Sequence, residues 1–307
     1  MKHASVTWNR RKLKKYAFMA SILAYPLLLF VVFWLFVNFN SILMAFQSET
    51  ITGVKSFVGF RQFGEFISKV FGDGDIMSIA FKNSFIVYGI NLVICMPLYI
   101  LFSYLLYAKV PATRVIRSIV MIPQIVSSMI ITLLFKKFVD NALPAIAEQL
   151  FGVTDFPLLL NDAEYVFPMM IFYMIWISFA FNLLVYTNAM NEVPEEIMES
   201  AHLDGVNNMF QELWYILLPS IWPTLTTFLV TGFAGILGNA GPLIAFYNTN
   251  APADTYLMGY YYTVQVLLGN TQTYNMLAAG GLLMTAVVAP LTFAVRWALE
   301  KYGPKED

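Results

Sequence analysis

The sequence predicts an all-α integral membrane fold of six spanning helices with both ends on the cytoplasmic side. Three observations predict it. The apolar set AVILMFWYC makes up 59% of the 307 residues and the charged set only 12%, against roughly 45–50% and about 25% in ordinary soluble domains. Six long windows contain no Asp, Glu, Lys or Arg. The Lys and Arg residues fall unevenly between the connections. A formal charge of −1 with so few charged residues excludes a disordered chain and argues against a nucleic-acid binder. One Cys excludes an intrachain disulfide and a multi-Cys metal site, and His3 and His202, far apart, argue against a His-based metal site, so no metal is expected.

A spanning helix needs about 20 apolar residues. The charge-free windows are 16–48, 83–108, 118–135, 165–191, 213–253 and 255–295. They place spans near 17–44, 82–107, 117–138, 166–190, 216–246 and 276–297. No soluble fold buries six such windows. The first run is too long for a secretory signal and lacks a small-residue cleavage site, so it reads as a retained helix. Lys2, Arg10, Arg11, Lys12, Lys14, Lys15, Lys109, Arg114, Arg117, Arg296, Lys301 and Lys305 lie on one side, against Lys55, Arg61, Lys69, Lys82, Lys136 and Lys137 on the other. Cytoplasmic loops carry the excess of positive charge, which puts both termini inside. The expected organisation is a basic cytoplasmic tail over 1–15, a six-helix membrane domain over 16–297 and a cytoplasmic tail over 298–307. Trp8, Tyr16, Trp214, Tyr215, Trp297 and Tyr302 stand near span ends, where aromatic residues anchor at the membrane interface.

No span interior carries an ionisable residue, the group that proton- and ion-coupled carriers keep there at high cost. Energy for any transport must then arrive from outside the bilayer. The sequence holds no GxxxxGK[ST] phosphate loop and no nucleophile–base constellation, so no enzyme activity is expected. Cys95, beside Met96 and Pro97, reads as packing.

The connection over 191–218 has a helix–turn–helix grammar. Pro194 suits a first helical turn, and Glu195 and Glu196 suit the positive end of a helix. Ile197, Ala201 and Leu203 give a partial apolar stripe, with Met198 beside it. Gly205 after Asp204 supplies a left-handed stop. Asn207 or Asn208 can cap a second amphipathic helix that Pro219 interrupts. Between 191 and 223 stand six acids and no Lys or Arg. The inner leaflet is anionic and attracts basic segments, so an acidic loop points to docking on protein.

These residues resemble a known family. Glu199-Ser200-Ala201-x-x-Asp204-Gly205, followed by Phe210 and Leu218-Pro219, resembles the EAA loop of permease subunits of binding-protein-dependent ABC importers. Phe57-Val58-Gly59-Phe60 with Phe63, Asn83-Ser84 at the second span, and Pro123, Phe135 and Asn141 around the third resemble the sugar-importing branch. Three features depart from the pattern. Ser200 stands for alanine and Phe135 for tryptophan, and the interval from Asp204 to Pro219 is one residue longer than the pattern. The resemblance implies a type I ABC importer permease fold in the bacterial cytoplasmic membrane. It implies coupling of the 191–218 loop to a cytoplasmic ATPase through Glu199, Ser200, Ala201, Asp204, Gly205, Phe210 and Pro219. The implied partners are two ATPase subunits, a second and distinct homologous permease chain, an extracytoplasmic solute-binding protein and membrane lipid. No cofactor is expected in this chain, ATP and Mg being bound by the ATPase subunits.

Helices broken by Gly or Pro are tolerated in a membrane beside a cavity. Thr231 to Pro242 holds four glycines and a proline, which predicts a break near 238–242, with Gly238 and Asn239 at a substrate pathway. Small-residue helix packing is the equal alternative for Gly232 and Gly235. Ser127 and Ser128 in the third span and Ser178, Phe181 and Asn182 in the fourth are further pathway candidates; their alternative is back-bonding and packing within their own helices. Neutral hydrogen-bonding groups beside aromatic rings suit a sugar, and with the resemblance they point to a neutral oligosaccharide. An importer of amino acids or peptides is the alternative, followed by a secondary carrier. The Tyr260–Tyr262 cluster is expected outside, either as an interfacial helix or as a docking surface for the binding protein.

Overall fold

The computed structural model describes residues 3–49, 54–111, 113–269 and 271–304, without the side chains of 3–11, 271 and 272. Lys2 and Lys305, counted above among the cytoplasmic cations, lie outside the described residues. Helical turns begin at His3 and run without a break into the apolar helix α1 (Lys12–Ala45). The expected tail over 1–15 is therefore no separate element over its described residues. A short antiparallel hairpin follows, β1 (Gln47–Glu49) and β2 (Lys55–Phe57), with Ser48 opposite Ser56. Next come α2 (Arg61–Val70), α3 (Ile76–Tyr107), α4 (Thr113–Ile125), α5 (Ser128–Phe151) and α6 (Ala163–Asn191). The chain continues through α7 (Glu195–Leu203), α8 (Met209–Ser220), α9 (Trp222–Ala234), α10 (Leu243–Tyr247), α11 (Met258–Leu267) and α12 (Thr271–Tyr302).

Helices α1, α3, α6 and α12 are each long and apolar enough to cross a bilayer. The remaining two spans are bent pairs, α4 with α5 at 102° and α8 with α9 at 70°. Counting each pair as one span gives the six expected. The third span is thus not the straight helix expected over 117–138. Pro123 inside α4 lacks the N–H that a helix interior needs, and the chain is extended at Ser127 (ψ 134°). The second arm runs on to Phe151, so Lys136 and Lys137, expected in an external loop, lie within a helix. The last helix likewise continues past 297 to Tyr302.

Three prolines share one local solution. The N–H groups of Met96, Leu143 and Leu218 reach back five residues, to the carbonyls of Asn91, Phe138 and Leu213. Each is followed directly by a proline, Pro97, Pro144 or Pro219. A proline ring clashes with the carbonyl four residues back in a regular helix, and one wide turn moves that carbonyl away.

The chain divides into two compact units, residues 1–67 with 271–283, and residues 68–270 with 284–307. In the first, Phe46 meets Phe57, Phe60 and Phe63 at ring distances of 6.5, 5.4 and 5.2 Å, which assembles the Phe57–Phe63 element into one aromatic cluster. The Gln47 carbonyl accepts from Gln62 at 3.2 Å and Asn275 at 2.8 Å. In the second, α3 packs along α6. Ser103 donates to the Leu183 carbonyl (3.1 Å), and Thr187 donates to the Ser103 carbonyl (3.3 Å). Interhelical bonds of this kind substitute for hydrophobic attraction, which lipid does not supply between helices.

Candidate functional site

The 191–218 loop folds as its sequence dictates. Glu195 and Glu196 occupy the first turn of α7. The helix ends where Gly205 takes φ +95°. The Gly205 N–H then donates to the His202 carbonyl (3.2 Å) and the Val206 N–H to the Ala201 carbonyl (3.0 Å), the paired closure that a left-handed glycine permits. Of the two asparagines, Asn208 is the cap, its side chain accepting from the Phe210 N–H at 3.2 Å. Gln211 instead accepts from the Asn207 N–H. Pro219 does not itself interrupt α8, because the wide turn before it absorbs the ring. The chain bends two residues later, at Ile221.

One face of the loop is seated and the other is bare. Met198, Ile216 and Leu217 join a packed cluster with Tyr99, Tyr104, Cys95, Tyr186 and Leu225. Tyr104 donates to the Glu212 carboxylate at 2.9 Å, tying α3 to α8. On the open face Leu203 is 89% exposed and Phe210 69%. Apolar side chains bared on an acidic helical knob form a surface suited to docking.

Deeper in the same unit lies a cavity of about 600 Å³, a size usual for small-molecule sites. Its polar lining comes from Asn91, Ser128, Thr132, Tyr173, Ser178 and Asn239. Among the described residues, no carboxylate, Lys, Arg or His lines it. The breaks make it. The unwound stretch after α9 contributes Asn239, Gly241 and Pro242, and the bend after α4 exposes Ser128 and Met129. Asn239 accepts from the Gly241 N–H at 2.9 Å, closing a turn in which Gly241 has φ +58°. Thr132 and Tyr173 bond each other at 2.6 Å.

Residues 83–305 match the family of the binding-protein-dependent transport system inner membrane component. The chain belongs to this family. The permease is 27% identical to the multiple sugar-binding transport system permease protein MsmF of Streptococcus mutans, over 67% of this chain and 69% of that protein. It is 25% identical to the protein LplB of Bacillus subtilis, over 92% and 88%. It is also 26% identical to the arabinooligosaccharides permease AraP of Halalkalibacterium halodurans, over 68% and 65%. Among solved structures, a bacterial ABC transporter involved in import of the acidic polysaccharide alginate superposes with a TM-score of 0.78 at 20% identity, covering 95% of this chain and 98% of that one.

Of the pathway residues expected in the permease, the main cavity gathers Ser178 and Asn239 but not Ser127, whose neighbour Ser128 takes its place. Gly238 is in the unwound turn outside the lining, its carbonyl pressed by Gly259. Asn182 lines a separate chamber of about 240 Å³ and donates to the Ser178 carbonyl at 2.9 Å. Phe181 lines neither cavity; it is 51% exposed and meets Phe228 edge-on. Ser178 does bond within its own helix, to the Met174 carbonyl, and its hydroxyl also meets Tyr99 at 3.0 Å. Asn91, Thr132 and Tyr173 were missed. Asn91 was readable as an amide at mid-depth in a charge-free window; the other two show no signal that separates them from packing.

The Tyr260–Tyr262 segment is no docking surface at its first two positions, since Tyr260 and Tyr261 are buried. Tyr260 donates to the Asn248 carbonyl (2.9 Å) and accepts from the Ala251 N–H (3.1 Å). Burial pushes its hydroxyl up to about 12, further from ionisation.

Proposed function

We propose that this permease imports a neutral oligosaccharide by alternating access, driven by cytoplasmic ATPase subunits that grip the 195–218 loop. One observation carries the reading: a single packed cluster runs from Met198 on α7 through Ile216 and Leu217 on α8 to Tyr99 and Cys95 on α3, and Cys95 lines the main cavity. Close-packed interiors transmit displacement. A pull on α7 therefore reaches the cavity wall without any intramembrane charge. Glu199, Ser200, Ala201, Asp204, Gly205 and Phe210 form the gripped element, and Pro219 sets the wide turn that leads into the bend. ATP and Mg are held by the ATPase subunits, and a second permease chain closes the other half of the pathway. A solute-binding protein delivers the sugar from outside.

The uncharged lining supports a neutral substrate, because a charged one leaves a buried charge without a partner. MsmF and AraP are named for sugars and arabinooligosaccharides, which supports the carbohydrate class; a solved structure of the alginate transporter is in complex with a pentasaccharide-bound periplasmic protein, which supports delivery by such a partner. The test is reconstitution with the ATPase and binding protein, followed by a panel of neutral oligosaccharides, uronic oligosaccharides and peptides. Stimulation of ATP hydrolysis and uptake by neutral sugars is expected. Stimulation by peptides alone overturns the reading.

A further inference from the structure

A cavity of about 520 Å³ opens at the cytoplasmic end of the second unit, between α9 and the end of α12. Helix α9 supplies Trp222, Thr226 and Val230 to its wall, and α12 supplies Arg296 and Glu300. Helix α9 runs outward from the cytoplasmic side and α12 runs back to it. The Trp222 ring nitrogen donates to the Leu299 carbonyl at 3.0 Å, which fixes the level of one helix against the other. Glu300 thus stands at the level of Trp222, Arg296 one turn deeper at the level of Thr226, and Val230 one turn deeper again. At 1.5 Å per residue, the wall from Trp222 to Val230 is about 12 Å deep.

Two groups on this wall have unused hydrogen-bonding capacity. Thr227 and Thr231, on the same helix, bond back to the carbonyls of Pro223 (2.9 Å) and Thr227 (2.7 Å), the usual solution within a helix. Thr226 does not. It is only 7% exposed, and its hydroxyl is sealed from water and has no partner. A buried hydroxyl left unpaired is costly. Arg296 engages Glu300 through its Nε alone, at 2.7 Å, and its terminal nitrogens have no hydrogen bond among the described residues. Both members of this pair are exposed, and an exposed ion pair holds its partners weakly.

We propose that this cavity binds the headgroup of an aminophospholipid of the inner leaflet, of the phosphatidylethanolamine type. The order of groups along the wall carries the assignment. From the cytoplasm inward it runs carboxylate, guanidinium, hydroxyl, valine. Phosphatidylethanolamine presents ammonium, phosphate, ester carbonyl and acyl chain in that same order. The ammonium donates to Glu300. The phosphate oxygens accept from the terminal nitrogens of Arg296, whose planar fork suits them. An ester carbonyl accepts from Thr226 after a turn about its Cα–Cβ bond, and the chain lies on Val230. A headgroup with phosphate but no amine sets its negative charge beside Glu300 with nothing to offset it. Trp222, Trp297 and Tyr302 stand at this level, and aromatic residues of that kind mark headgroup depth. Pockets between helices on the cytoplasmic side are where membrane proteins hold lipid headgroups. The proposal needs the membrane fold alone and is independent of the sugar reading.

The experiment purifies the whole transporter, strips its lipid in detergent, and offers phosphatidylethanolamine, phosphatidylcholine and phosphatidylglycerol with identical chains. Bound lipid is counted by native mass spectrometry. The unaltered transporter should retain phosphatidylethanolamine over the other two. Glu300→Gln should abolish that preference, and Arg296→Gln should weaken retention of all three by about tenfold, the equivalent of one charge-assisted hydrogen bond. Thr226→Val keeps the shape and removes the hydroxyl. It should raise the thermal midpoint of the stripped transporter and leave that of the phosphatidylethanolamine-loaded one unchanged. Equal retention of the three lipids, or a preference for phosphatidylglycerol, by the unaltered transporter overturns the assignment and needs no variant. An equal rise for Thr226→Val with and without lipid also overturns it, because the hydroxyl then has no lipid partner. So does a Val230→Cys that crosslinks to a second permease chain, since protein and not lipid then fills the cavity.

Discussion

Replacing Gly205 by valine isolates the turn on which the proposed coupling loop depends. Glycine holds φ +95° there, and a Cβ built at that position meets nothing within 4 Å. The penalty is therefore conformational and not steric. A left-handed residue with a side chain costs about 1–2 kcal/mol, and a β-branched one stands at or above the top of that range because its χ1 is restricted as well. Since 1.4 kcal/mol is tenfold in an equilibrium, valine reduces the closed turn roughly five- to thirtyfold relative to open forms. The bonds lost are those from Gly205 to His202 and from Val206 to Ala201. The whole chain remains folded, because Met198 and Leu217 stay seated in the core. The assay is ligand-stimulated ATP hydrolysis by the reconstituted complex, with sugar uptake measured in parallel. Gly205→Val should weaken attachment or uncouple hydrolysis from uptake, whereas Gly205→Asn, which tolerates this region better, should retain more of both. Equal loss in Asn and Val variants, or no loss in either, refutes the conformational reasoning.

Other substitutions test the packing behind the site. A Cβ at Gly259 would lie 2.4 Å from the Gly238 carbonyl oxygen and 2.6 Å from the Asn239 carbonyl carbon; Gly259→Ala should displace α11 from the unwound turn and lower the thermal midpoint, at the cost of about 1–3 kcal/mol typical of overpacking. A Cβ at Gly303 would lie 1.9 Å from the Trp222 ring nitrogen; Gly303→Ala should break the 3.0 Å bond from Trp222 to the Leu299 carbonyl and loosen the end of α12, read as faster proteolysis there. Tyr104→Phe removes the donor to Glu212 and should cost about 1.5–3 kcal/mol, as hydrogen bonds to charged groups do; an unchanged denaturation midpoint would show the pair contributes nothing.

The loop was legible because its signals are local. The Glu195–Glu196 pair, Gly205 and Asn208 each act on the backbone within a turn of themselves and do in the structure what their chemistry requires, whereas Pro194, expected in the first turn, stands just before it as the extended cap residue (ψ 136°). The spans were legible for the same reason, since 20 charge-free residues need no partner to be recognised. The bends were not. Hydropathy reads Ser118 to Phe135 as one segment, yet the chain turns by 102° after Ile125. Pro123 marks a weak point, but so does Pro290, which stays inside α12. Tertiary packing decides between the two outcomes, and a single sequence does not display it. Side-chain direction was lost in the same way: Ser127 and Ser128 look alike in sequence, and only the start of α5 at Ser128 puts one of them at the cavity.

The broken helix after α9 needs support from elsewhere in the fold, because unwound backbone in a membrane leaves its polar groups unpaired unless protein or water meets them. The support is visible. Asn83 donates to the carbonyls of Asp254 and Tyr256 at 2.7 and 3.0 Å, and the Met258 N–H donates to Ser84 at 2.9 Å. Those bonds fix the 254–258 segment on the start of α3. The next residue, Gly259, lies directly against the 238–239 turn, while Tyr260 pins 248 and 251 on its other side. Asn83-Ser84, whose place at the mouth of the second span is part of the family resemblance, thus acts on the cavity through two further segments. This relay gives a physical reason for a polar pair at the outer end of an apolar span: it helps hold Gly259 against the turn that carries Asn239.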